Sequence, residues 1–174
     1  NNTSLIFFFK YFFIYLLLNN VYADDSYSIY FFGIPIIDVQ MHLNHNELTF
    51  KTKSRSLFNS IWPIDNNYYT KYDSSSFGLR DYSKSINQGS YNGELNCKYI
   101  IEKKVLKCGE IEILSNDNIQ NIFTLLAQLA YKSSDYLDSK WFEMNHEGMN
   151  YKARFLFVGN DEIIINNTSI LCNH

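Results

Sequence analysis

No stretch of this sequence is dense in lysine and arginine. Its 15 basic residues are outnumbered by 18 acidic ones, for a net charge of −3. A chain without a basic stripe has little to offer a phosphate backbone, so nucleic acid is not an expected partner. Other signatures are missing too. There is no Gly-x-Ser-x-Gly elbow for a nucleophilic serine, because Gly89-Ser90-Tyr91-Asn92-Gly93 has the wrong spacing. No glycine-rich phosphate loop occurs. The greasiest segment, Leu5 to Leu18, is interrupted by Lys10. It falls short of the roughly 20 apolar residues that cross a bilayer.

Metal-binding spacing is also lacking. His42 and His45 are three apart, which on a strand puts them on opposite faces. His146-Glu147 opens like a zincin motif, but Asn150 stands where the second histidine belongs, and His174 is terminal. Neither a metal nor a cofactor is expected. Glu110 and Glu112 share a strand face, which suits paired carboxylate chemistry or simply a solvated surface.

What is present begins with an export signal. Lys10 is the only charge before Asp24, Tyr11 to Leu18 is a short apolar core, and Asn19-Asn20 ends it. Val21 and Ala23 sit three and one positions before a cut, so residues 1–23 read as a signal peptide cleaved between Ala23 and Asp24. No cysteine follows that site to carry a lipid. The chain is therefore expected in the periplasm or outside the cell, with no stable membrane span after cleavage. Residues 24–174 suffice for one mostly-β domain. The first residue is Asn1 rather than Met, and Cys172-Asn173-His174 follows directly on a strand-like stretch. Truncation at both ends is the expectation.

Period-two alternation fills much of the domain. Ile37, Val39, Met41 and Leu43 alternate with Asp38, Gln40 and His42; Leu48, Phe50 and Thr52 alternate with Thr49, Lys51 and Lys53. Such strands bury one face and wet the other, as in an antiparallel meander. Leu57 to Trp62 breaks the pattern as a short helical turn or loop capped by Pro63. Asp65 to Asn92 reads as two or three short strands. Glu94 to Ile101 and Val105 to Leu114 read as strands around a turn at Glu102-Lys103-Lys104. One helix is expected after Asp117, which would cap it with Gln120 three residues on. Ile119, Ile122, Phe123, Leu126, Leu129 and Ala130 form its apolar stripe, with Asn121, Thr124 and Gln128 off it. Trp141 to Asn145, Tyr151 to Val158, Glu162 to Ile165 and Thr168 to Cys172 read as further hairpin strands. The predicted class is α+β, mostly β: a curved antiparallel sheet, an open half-barrel of consecutive hairpins, cupping one amphipathic helix.

Several short motifs carry a resemblance. Tyr27 to Gly33 followed by Ile34-Pro35-Ile36 resembles an opening strand pair of the form Tyr-x-x-x-Phe-x-Gly-Ile-x-x-Gly, with Ile37 near the place of the second glycine. Gly78-Leu79-Arg80-Asp81-Tyr82, the helix Asn118 to Ala130, and Glu162-Ile163 to Cys172 follow in order. Together they resemble a bacterial exported family catalogued as domain of unknown function 3108. The resemblance implies an extracytoplasmic curved sheet related in shape to periplasmic lipoprotein carriers, and two further C-terminal strands. It implies no activity.

Two structural features are candidates for a role. Counting outward from a turn centred on Glu102-Lys103 places Cys97 opposite Cys108, within reach of a disulfide in an oxidising compartment. Two ordinary buried thiols are the alternative. Ile119, Ile122, Phe123 and Leu126 are candidates to line an apolar pocket between sheet and helix. The function expected is a non-enzymatic envelope protein binding a lipid, another apolar ligand or an extended ligand in the concavity of its sheet. An envelope hydrolase and a purely structural assembly protein are the alternatives. Oligomeric state is not readable.

Overall fold

In a computed structural model the described residues are 24–165 and 168–173. The expected signal peptide lies outside them. Eight strands form one antiparallel sheet in chain order: β1 (Asp24–Phe31), β2 (Ile34–Asn44), β3 (Glu47–Ser54), β4 (Ile64–Tyr72), β5 (Leu79–Gln88), β6 (Tyr91–Ile100), β7 (Val105–Cys108) and β8 (Ile111–Leu114). The sheet is not closed. Helix α1 (Ser56–Ile61) links β3 to β4, while α2 (Ile122–Tyr131) and α3 (Ser134–Leu137) follow β8. Two separate hairpins complete the chain: β9 (Trp141–His146) with β10 (Met149–Arg154), and β11 (Asn160–Ile165) with β12 (Thr168–Asn173). The domain is α+β and mostly β, built from consecutive hairpins, as the alternation predicts.

Register fixes what each face carries. Across β2 to β6, Met41, Phe50, Tyr68 and Lys84 stand directly opposite one another, and so do Leu48, Thr70, Tyr82 and Cys97. Their intervening neighbours lie on the other face. The first face is buried by α2. The Phe123 ring sits 5.5 Å from Phe50, 5.3 Å from Tyr68 and 5.8 Å from Tyr82, centroid to centroid. Such packing of four rings supplies both apolar burial and aromatic contact.

Three expectations are corrected. The region after Asp65 forms two long strands, β4 and β5, joined by a loop in which Phe77 is buried. Val105 to Leu114 is not one strand: Gly109, at φ +58°, turns the chain between β7 and β8, and Glu110 falls in that turn rather than beside Glu112 on a strand. The helix is capped by Asn121, not Asp117. Thr124 N–H donates to Asn121 Oδ1 at 2.8 Å and Asn121 N–H to Thr124 Oγ1 at 3.0 Å, a reciprocal capping box. Asp117 instead accepts the Tyr99 hydroxyl at 2.6 Å. Ile119 and Gln120 thus precede the helix, and Thr124, off the predicted stripe, is fully buried.

The residue just before α2, Gln120, is tied to β9. Gln120 N–H donates to the Glu143 carbonyl and Asn145 N–H to the Gln120 carbonyl. The buried Gln120 amide donates to Gln128 Oε1 at 3.1 Å. Periodicity alone assigns Gln128 and Thr124 to solvent, yet both are buried, Gln128 bonded to Gln120 and Thr124 to Asn121.

Candidate functional site

The four apolar-pocket candidates lie on or just before α2, packed toward the sheet. Phe123 fills the interval between α2 and the sheet, with Ile122 and Leu126 half-buried against the same core. Ile119 is buried and borders a cleft of about 270 Å³, whose other walls include Leu114, Met144, Tyr151 and the Glu143–Lys152 pair opposite each other on β9 and β10. Asn116 Nδ2 donates to Glu143 there at 2.8 Å.

Cys97 and Cys108 face each other across β6 and β7, with Cα atoms 4.0 Å apart, and are joined by a disulfide. Both are buried in the core, where the bridge ties the last long strand to the short β7–β8 end of the sheet. Cys172 is a buried free thiol. Among the described residues no group of three or more His, Cys, Asp or Glu is placed to hold a metal. His42 and His45 are exposed on β2 and its turn, and His45 stacks edge-on against Tyr131.

Another recess lies on the opposite face of the sheet, away from α2. It is a trough of about 310 Å³ across β3, β4, β5 and β6, a size at the lower end of small-molecule sites. Two cross-strand rows form its floor. One runs Lys51, Asn67, Ser85, Glu94; the other runs Thr49, Tyr69, Ser83, Asn96. Each residue stands directly opposite the next, so side chains of one row project in parallel, about 4.8 Å apart. The centre is low because serine and asparagine are short; Lys51, Tyr69 and Glu94 stand higher.

The polar groups of this floor are largely uncommitted. Among the described residues, Lys51 and Glu94 make no ion pair, and the side chains of Thr49, Ser83, Ser85 and Asn96 make no hydrogen bond. Tyr69 is fixed: its hydroxyl donates to Glu47 Oε1 at 2.9 Å. Burial, with that bond to Glu47, pushes the phenol up to about 12, so the ring stays neutral and the hydroxyl remains a donor. Asn67 is tied only loosely, to Asp65 at 3.5 Å. The trough can therefore present a cation, a carboxylate, two amides, three hydroxyls and one aromatic edge to a ligand. Its small polar residues at alternating positions are visible in the sequence. Their alignment needs the register of four strands, which the sequence does not print.

A second exposed feature gathers at one end of the sheet. Tyr30, Phe31, Phe32 and Ile34 at the β1–β2 turn, Leu57, Ile61 and Trp62 of and after α1, and Tyr91 at the β5–β6 turn all stand exposed at this end. Trp62, the least exposed of them, is 49% exposed, and Phe32 is 91% exposed. Arg55 N–H donates to the Ile36 carbonyl and Gly89 N–H to the Pro63 carbonyl, which holds these turns together. No helix among the described residues is long and apolar enough to cross a membrane. Compared with protein-family models, curated proteins and solved structures, the chain matches none of them.

Proposed function

We propose that this chain is an exported, non-enzymatic binding protein that lays an extended polar ligand across the trough of β3 to β6. One observation carries the reading: two rows of directly opposed polar residues span four strands, and most of their hydrogen-bonding groups have no partner among the described residues. An extended ligand running across the strands meets them in sequence. The export signal at Tyr11 to Leu18 and the resemblance to domain of unknown function 3108 supply the compartment, outside the cytoplasm. The test is a nuclear magnetic resonance titration of the full chain with tetra-alanine and with cellotetraose. Shifts centred on Tyr69, Ser83 and Asn96 are expected with at least one of them. Shifts confined to other parts of the surface count against the trough.

An apolar ligand is the second reading, and the rim around Phe32, Leu57 and Trp62 favours it. Exposed apolar side chains gathered at one end of a sheet are where an apolar ligand would dock. Mass spectrometry of lipids co-purified with the full chain tests it; lipid-free protein that ignores vesicles counts against it.

A further inference from the structure

We infer that the trough selects a short oligopeptide with both ends free, its carboxylate toward Lys51 and its ammonium toward Glu94. This rests on the reading of the trough as a binding site and adds the charge pattern of the ligand. The argument comes from comparing rows of the same sheet face. In the row on one side, Glu47, Lys71, Asp81 and Lys98 stand directly opposite one another, so every charge has an opposite neighbour one strand away. In the row on the other side, Lys53 stands opposite Asp65. Only in the trough row are the charges held apart, with neutral Asn67 and Ser85 between Lys51 and Glu94.

Three strand spacings separate Lys51 from Glu94, about 14 Å of backbone. That is too far for the two to neutralise each other directly. A polyanion meets Glu94 at one end, and a polycation meets Lys51 at the other. A zwitterion with charges about 10 to 14 Å apart satisfies both, and an extended peptide reaches that length with three or four residues. Asn67 and Ser85 each offer a donor and an acceptor, which suits the alternating N–H and C=O of a peptide backbone.

Calorimetric titration of the full chain decides between the outcomes, with tetra-alanine bearing free ends as the probe. N-acetyl tetra-alanine and tetra-alanine amide are expected to bind roughly tenfold more weakly, since each loses one charged hydrogen-bond set. Lys51→Ala and Glu94→Ala are expected to lose a similar factor for the free peptide. The double swap Lys51→Glu with Glu94→Lys is expected to restore binding, with the peptide reversed. Equal affinity for free and capped peptides, with Tyr69 resonances shifting in both, overturns the charge pattern and leaves the trough as a site. No Tyr69 shift with tetra-alanine or with cellotetraose overturns both.

Discussion

Glu147, in the turn between β9 and β10, forms an ion pair with Lys84 on β5, 63 positions earlier. Lys84 lies on the sheet face that α2 covers, opposite Tyr68, and its side chain is only 10% exposed. Glu147 holds a left-handed backbone, φ +52°, to reach it. The pair thus fastens the β9–β10 hairpin over the core. Glu147→Ala is expected to destabilise by about 1 to 3 kcal/mol, because it strands a nearly buried ammonium. Lys84→Met should cost less, since the half-exposed Glu147 regains water and the methionine fills the same space. Urea melts of both variants check the order; a larger loss for Lys84→Met refutes the clasp.

The N-terminus of α2 gives a second prediction. Phe123→Ala removes a ring packed on three others and should cost about 3 to 5 kcal/mol. Leu126, half-buried, should cost less. Thr124→Ala breaks the capping box and is expected to cost about 0.5 to 2 kcal/mol, despite its position off the apolar stripe. Chemical denaturation of the three variants ranks them.

The disulfide closes a short loop, its cysteines 11 positions apart. In the chain-entropy account, such a loop is worth about 3 kcal/mol. Replacing both Cys97 and Cys108 with alanine should lower stability by roughly that amount, and non-reducing peptide mapping of the wild type should recover the two segments linked. Free thiols at both positions in protein alkylated before lysis refute the bridge.

Asp73 gives a pH prediction. The hydroxyl and N–H of Ser75 and Ser76 all donate to Oδ1, at 2.5 to 3.1 Å, in the loop after β4. These bonds hold the carboxyl well below the usual aspartate range. A depressed folded value stabilises the protein above the unfolded value of about 3.9, and that contribution drains away as pH falls below it. Thermal melts from pH 5 to pH 2 should therefore slope less steeply for Asp73→Asn than for the wild type. Equal slopes refute the assignment.

The meander is legible in the sequence because alternation, once established at Ile37 to Leu43 and Leu48 to Thr52, needs only short turns to continue. The pairing of Cys97 with Cys108 follows from counting outward from Glu102-Lys103, and this is the register found. What periodicity misses is tertiary. Asp117 looks like a cap until Tyr99 is seen to claim it, and Thr124 looks exposed until it is found buried in the capping box with Asn121. Gly109 reads as one residue in a strand, yet its positive φ divides that strand in two. The trough is invisible for a similar reason: Lys51, Asn67, Ser85 and Glu94 are distant in sequence and meet only through three successive pairings.

Each strand of the large sheet pairs with the one made just before it. A chain delivered N-terminus first, from a ribosome or through a narrow channel, can add every new strand to an edge already waiting. Loop closure then stays short at each step, which favours fast assembly over entanglement. Only the final acts, seating Phe123 and drawing Glu147 onto Lys84, wait for the distal half to arrive. Until α2 arrives the face of Phe50, Tyr68 and Tyr82 stands bare, so the vulnerable interval is the one between emergence of β5 and emergence of α2.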